Sequence, residues 1–355
     1  MTDRNPVRVV QWTTGNIARE AVPTVLGRDD MQLVGVFAFS PAKVGVDVAD
    51  LVGLDAPTGV AATDDIDELL ALDPDCVVYS PLHFNIDHVE RILAAGVNIV
   101  TTTAFMTGRT LPAGERNRVI AAAEAGGASI FGGGMNPGFS AVLTAVGAGI
   151  SREVRHVRVS ESVDVSLFAG DENFDLFGWA RPAGDPEHSA DLEYATRFYK
   201  DGLEVLGDLL GLSDYEMVFT ANFAHATEDL DLPGRPIPAG TVAGIDIVLE
   251  AVVDGVPRIE MHQRYVMGSA IEPAWTVEHG YRVDVLGNPR VGLRLEILPD
   301  LDDYSLLTVE EMYAIGMRIS AVPLIDAIPA VCAAAPGIRT YADIALPSAY
   351  LGGRS

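Results

Sequence analysis

Short apolar runs and helical patterns alternate from Val7 to about Gly149. Val7–Trp12 predicts a strand, Asn16–Leu26 a helix and Gln32–Phe39 a second strand. Cys76–Tyr79 is a run of buried type, followed by a helical pattern over Asp87–Ala95. Asn98–Thr102, Glu115–Ala125 and Ala128–Phe131 continue as strand, helix and strand. Strands that alternate with helices imply an α/β unit built on a doubly wound parallel sheet.

The period then changes. Val154–Ser166 alternates every second residue. Val242–Val253 and Arg258–Met267 are joined by Asp254-Gly255, a hairpin signal. Tyr281–Leu286 and Val291–Ile297 are joined by Gly287-Asn288-Pro289-Arg290. These runs predict an antiparallel meander in a second, α+β domain, with a helix over Ala190–Leu210. The tail returns to helix. Thr308–Ile319 has Thr308 as N-cap and Glu310 and Glu311 in its first turn. Ala321–Ala335 continues it, interrupted by prolines. We expect both chain ends to build the first domain and the meander domain to be inserted between them.

Composition narrows the partners. The 355 residues carry 50 acidic and 24 basic side chains, a net charge of −26. Phosphate backbones and anionic membranes are held by clustered Lys and Arg, so neither nucleic acid nor a membrane surface is expected. Cys76 and Cys332 are the only cysteines, too few for a disulfide framework or a thiolate zinc site, and they suit a reducing cytoplasm. No N-terminal apolar segment reads as a signal peptide, and no uninterrupted apolar stretch reaches membrane length. None of the histidines has metal-ligand spacing.

The first strand runs into Thr13-Thr14-Gly15-Asn16-Ile17-Ala18. A dinucleotide-binding turn is G-x-G-x-x-G/A in this context. Thr13 stands at the first glycine, Gly15 at the central one and Ala18 at the third. Gly15 lets the backbone approach a pyrophosphate, and the N–H groups of Asn16 and Ile17 would point at it from a helix N-terminus. Pro23 should kink or shorten that helix. The second strand ends at Phe39-Ser40-Pro41-Ala42-Lys43, with no acid for a ribose hydroxyl. Ser40 and Lys43 there favour NADP(H), with NAD possible.

The second domain offers one acid in an apolar row: Val157, Val159, Glu161, Val163 and Val165 share a strand face. A lone buried carboxylate is costly, and such a group suits proton transfer. A salt bridge to Arg264, or a bulge turning Glu161 outwards, would explain it equally. The other face carries His156, Arg158, Ser160, Ser162 and Asp164, a hydrated face or the interface of a homodimer. Glu260, His262 and Arg264 alternate on a later strand as a surface ladder. Phe168, Phe174, Phe177, Trp179, Tyr194, Phe198 and Tyr199 crowd around Asp171-Glu172-Asn173, as a pocket lid or as core.

Several segments carry a family resemblance. Val97–Phe105 reads Val-Asn-Ile-Val-Thr-Thr-Thr-Ala-Phe, and Ile130–Phe139 reads Ile-Phe-Gly-Gly-Gly-Met-Asn-Pro-Gly-Phe. The tail has Asp326-Ala327-Ile328-Pro329, then Ala335-Pro336-Gly337-Ile338 and Thr340; Ile237–Gly244 adds Ile-Pro-Ala-Gly-Thr-Val-Ala-Gly. Together they resemble actinobacterial proteins with a dihydrodipicolinate-reductase-like N-terminal domain. That group includes 2,4-diaminopentanoate dehydrogenases and NAD(P)H-dependent amine dehydrogenases. The resemblance implies a Rossmann domain, residues 1–150 with 305–355, and an inserted substrate and dimerisation domain, residues 151–304, on an antiparallel or mixed sheet. It implies hydride transfer from a nicotinamide to a small-molecule carbonyl, imine or amine. Ser80 and Pro81 would lie along the cofactor, Thr102 and Thr103 on its nicotinamide side, and Asn136 beside nicotinamide or substrate.

Two departures qualify it. The reductases share a His-His and Lys constellation and an Asp-Ala-Pro-Ser-Gly-Thr loop; Val159–Ser166 has none of these, which excludes the lysine-pathway reaction. The amine dehydrogenases carry a glutamate just after the fifth strand, where Ala104 and Phe105 stand. Glu161 is the acid left for proton transfer. A dinucleotide-binding redox sensor without dehydrogenase activity is the alternative expectation.

Overall fold

The computed structural model describes residues 5–103, 105–169, 173–300 and 308–350. The chain forms two compact units, Met1–Phe139 with Ala314–Ser355, and Ser140–Tyr313. Among the described residues the strands are β1 Val7–Trp12, β2 Met31–Phe37, β3 Ala62–Thr63, β4 Cys76–Tyr79, β5 Asn98–Thr101 and β6 Ser129–Gly132. They continue with β7 Arg152–Asp164, β8 Glu216–Ala226, β9 Val242–Val253, β10 Val256–Val266, β11 Ile271–Glu272, β12 Gly280–Asn288, β13 Val291–Leu295 and β14 Gly337–Arg339.

In the first unit the order is β14-β6-β5-β4-β1-β2-β3, and all its pairs are parallel. The order reverses between β1 and β4, the Rossmann switch point at whose strand ends ligands bind. Every residue of β4, β6 and the last four of β1 is buried, as a sheet covered on both faces demands. The helix Asn16–Leu26 runs through Pro23 to its expected end, so the proline does not shorten it. Two short helices, Val48–Val52 and Ile66–Leu70, escape the sequence reading because each spans five residues. Both are nucleated by caps: Asp47 accepts the Ala49 N–H, and Asp65 accepts those of Asp67 and Glu68. Bonds from the Ala49 N–H first, then from Thr58 and Gly59, hold the Asp47 carboxyl down at about 2.

The tail is a single helix, Val309–Cys332, that passes through Pro323 and Pro329. Thr308 and Glu311 form a reciprocal cap: the Thr308 N–H donates to Glu311 at 2.8 Å and the Glu311 N–H to Thr308 Oγ1 at 3.2 Å. By length and composition this helix could cross a membrane, which a reading broken at the prolines does not show. Its residues Leu324, Ile325, Ala327, Ile328 and Val331 are instead buried. Arg28 donates to Asp326 at 2.6 Å and to Asp30, tying the helix to the first unit. After it, β14 adds to the sheet beside β6.

In the second unit the order is β11-β8-β9-β10-β7-β12-β13. This corrects the expected meander. β7 lies between β10 and β12 and is parallel to β10, while its pair with β12 is antiparallel. Parallel neighbours need a long crossover, which the segment between β7 and β10 supplies. The β9–β10 turn is the expected hairpin: Asp254 and Gly255 have φ of 52° and 74°, both positive as a type I′ turn requires. The expected Ala190–Leu210 helix is two, His188–Ala195 and Phe198–Leu210. Ser140–Ala148 belongs here rather than with residues 1–139, because Ala141 and Ala148 share a core with Val157, Val159, Leu203, Leu206 and Val283.

Candidate functional site

At the switch point of the first unit, Thr13 carries φ of +89°. A β-branched residue there is strained by about 1–3 kcal/mol, which is why the usual occupant is glycine. Hydrogen bonds hold it. The Thr13 N–H donates to Phe37 O at 3.0 Å, and Thr13 Oγ1 donates to Ser80 O at 3.2 Å. Ser80 Oγ in turn donates to Trp12 O at 3.1 Å, and Gln11 Nε2 donates to Ser80 Oγ at 3.0 Å. The ends of β1 and β4 are thus stitched together beside the turn. Thr103 Oγ1 donates to Pro81 O at 2.8 Å and adds the end of β5.

Gly15 is the N-cap of the first helix, with no side-chain cap. A Cβ built there would meet nothing within 4 Å, so the turn is open on the side a Gly15 side chain would occupy. A pyrophosphate fits such a cradle, with Asn16 and Ile17 opening the helix. Lys43 is brought to the turn and donates to Thr14 Oγ1 at 2.8 Å. Ser40 is exposed and starts the short turn Pro41–Lys43. The sequence reading missed Phe39 and Leu82, apolar yet 53% and 59% exposed at the ends of β2 and β4. With Pro81, Phe84 and Ile86 they line a groove of about 540 Å³. Their signal was an apolar residue just past each strand, legible only once the strand order is known.

Thr102 is half-buried after β5. Asn136 is half-buried after β6, where its extended backbone, φ −127° and ψ 126°, interrupts the helical segment Met135–Phe139. The structure therefore brings Thr13, Ser80, Pro81 and Thr103 into one bonded cluster with Gly15 and Lys43 alongside, and sets Thr102 and Asn136 past the ends of β5 and β6. Ala104 lies outside the described residues.

The second unit decides what Glu161 touches. Register places Gln263 of β10 on one side of it and Tyr281 of β12 on the other. Tyr281 donates to one carboxylate oxygen at 2.5 Å and Tyr265 to the other at 2.6 Å. Tyr199, from the Phe198–Leu210 helix, shares a hydrogen bond of 2.8 Å with Tyr265. Glu161 is therefore no lone carboxylate, nor the partner of Arg264, which is committed to Asp246 at 3.3 Å. Burial first, and the Glu161 charge second, push the Tyr265 and Tyr281 phenols well above their usual range, so both stay donors. Two charge-assisted hydrogen bonds fix the orientation of this carboxylate.

The opposite face of the same sheet is polar and laddered. Arg158 pairs with Glu260 at 2.5 Å, and Asp246 takes both His262 and Arg264. These ladders flank a groove of about 460 Å³ that also reaches Ser160, Ser162, Arg282 and Asp284. The crowded aromatics are mostly core: Phe174, Trp179 and Tyr199 are buried, and only Tyr194, 69% exposed, projects. Asp171 and Glu172 lie outside the described residues.

No family model matches the chain. It is 27% identical over 358 residues to an amine dehydrogenase from Streptomyces virginiae, covering 96% of each protein. It is 28% identical over 120 residues to a 4-hydroxy-tetrahydrodipicolinate reductase from Mastigocladus laminosus, 31% of this chain and 43% of that one. Its fold matches the structure of an amine dehydrogenase from Mycobacterium smegmatis with a TM-score of 0.78 at 22% identity, covering 99% of both chains. The chain is thus homologous along nearly its whole length to an amine dehydrogenase, and along about a third of it to a dihydrodipicolinate-type reductase.

Proposed function

We propose that this chain is an NAD(P)-dependent oxidoreductase that acts on a carbonyl, imine or amine. The observation that carries the reading is the uncapped, open Gly15 turn at the switch point of a Rossmann sheet. Bound there, a nicotinamide dinucleotide would supply the hydride chemistry. The N–H groups of Asn16 and Ile17 would hold its pyrophosphate, with Thr13 and Ser80 beside them. The exposed rings and side chains of Phe39 and Leu82 suit an adenine face. Ser40 and Lys43, with no acid at the end of β2, favour the 2′-phosphate of NADP(H). Pro81, Thr102 and Thr103 continue the strand ends towards the nicotinamide.

Glu161 is the proton-transfer group in this reading, and Asn136 orients the substrate. In the amine-to-imine direction the nitrogen sheds a proton, which Glu161, its orientation fixed by two phenols, would take. The missing His-His and Lys constellation separates the chemistry from that of dihydrodipicolinate reduction. We also assign the laddered face of the second sheet to a homodimer, and the two thiols fit a cytoplasmic setting.

The test is NADPH and NADH oxidation against ketones and aldehydes with ammonia, and against preformed imines. Turnover with NADPH, slowed about 100-fold or more by Glu161→Gln, is expected. Failure of both dinucleotides to bind would sink the proposal. Light scattering at twice the chain mass checks the dimer.

A further inference from the structure

The chain's two cysteines lie far apart in sequence and meet in the first unit. Cys76 opens β4 and is fully buried, whereas Cys332 closes the Val309–Cys332 helix and is partly exposed. Cys332 Sγ lies 3.9 Å from the carbonyl oxygen of Asp75, the residue that precedes Cys76. Burial first, and the neighbouring Cys332 thiol second, push the Cys76 thiol well above its usual range. Among the described residues no group of three His, Cys, Asp or Glu could hold a metal, so ligation does not account for the pairing. Packing alone asks only for one small apolar group at each position.

We propose that Cys332 is an oxidation site and Cys76 its resolving partner, a dithiol that hydroperoxides convert to an intrachain disulfide. The Cys332 thiolate attacks the outer peroxide oxygen, the O–O bond breaks, and an alcohol or water leaves. Cys332 is then a sulfenic acid. Cys76 sulfur attacks the Cys332 sulfur, the S–O bond breaks, and the Cys76 proton leaves with the hydroxide as water. The sum is two thiols and one hydroperoxide giving one disulfide, one alcohol and one water. Exposure sets the order, since peroxide reaches Cys332 and not Cys76. Burial of the Cys76 thiol keeps it protonated, so the second step is the slow one. The bond would fasten the end of the last helix to the start of β4 and close a loop through most of the chain.

The experiment treats the full-length protein with hydrogen peroxide and counts thiols after unfolding. Loss of both thiols in a monomeric chain is expected, with one disulfide-linked peptide pair containing Cys76 and Cys332 by mass spectrometry. Dithiothreitol should restore both. Closing so long a loop should raise Tm by about 5 °C. Cys332→Ser should abolish the linkage and leave Cys76 unreacted. Cys76→Ala should leave a dimedone-reactive sulfenic acid on Cys332. Two thiols still free after treatment, a disulfide found only between two chains, or oxidation of Cys76 in the Cys332→Ser protein would each overturn the proposal. None of these readouts depends on dehydrogenase activity.

Discussion

Gly15→Asp separates folding from cofactor binding. Gly15 has an ordinary φ of −85°, caps the first helix without a side chain, and leaves room for a Cβ. An aspartate there can accept the N–H groups of the first turn. Three small gains add: a few tenths of a kcal/mol for the better cap, about 0.3–1 for a carboxylate at the helix N-terminus, and about 0.4–1 for lost freedom in the unfolded chain. Self-repulsion in a chain of net charge −26 takes some back. The first unit should gain about 1 kcal/mol in urea unfolding. Binding should move the other way. A carboxylate about 4 Å from a pyrophosphate charge repels it by about 4 kcal/mol at an effective dielectric of 20. Half of that, left after screening, weakens Kd about 30-fold. Fluorescence titration with NADPH and NADH measures it. Gly15→Asp binding either dinucleotide as tightly as the parent would refute the assignment of this turn.

The remaining predictions use the same assays. Thr13→Ala keeps the positive φ and loses the bonds to Ser80, whereas Thr13→Gly loses both strain and bonds. Thr13→Gly should therefore be the more stable of the two by about 1 kcal/mol, the reverse of the usual Ala-to-Gly order; urea midpoints decide it. Tyr281→Phe removes a phenol donor to Glu161, and loss of a charge-assisted bond should cost about 1.5–3 kcal/mol in unfolding of the second unit. An unchanged midpoint would show that the bond contributes nothing. Burial first, then Arg181, lowers the His188 pKa below its ordinary 6.5. The unfolded state then binds more protons in acid, so this contribution is complete above about 6.5 and is lost as pH falls below it. His188→Gln, which keeps a donor for Phe177 O, should flatten the acid side of the stability–pH curve.

Much of the fold was legible because it depends on local periodicity. Val7–Trp12, Asn16–Leu26, Cys76–Tyr79 and Val242–Val253 match the observed elements at both ends. Five-residue helices were not legible, since so short a segment shows barely more than one turn of pattern, although Asp47 and Asp65 were visible caps. Helix propensity alone wrongly broke the tail at its prolines, where burial of Leu324, Ile325 and Ile328 sustains it.

The sequence by itself determined the parallel first sheet, the glycine at its turn and the carboxylate in a valine row. Each follows from spacing within a few residues, where chain connectivity fixes geometry. Only the tertiary structure decided which strand lies beside which, and with it the setting of every site residue. Strand pairing joins residues distant in the chain and depends on the summed burial of whole faces. That is why β7 came to lie between β10 and β12, why Glu161 met Tyr265 and Tyr281 rather than Arg264, and why Cys332 returned to Cys76.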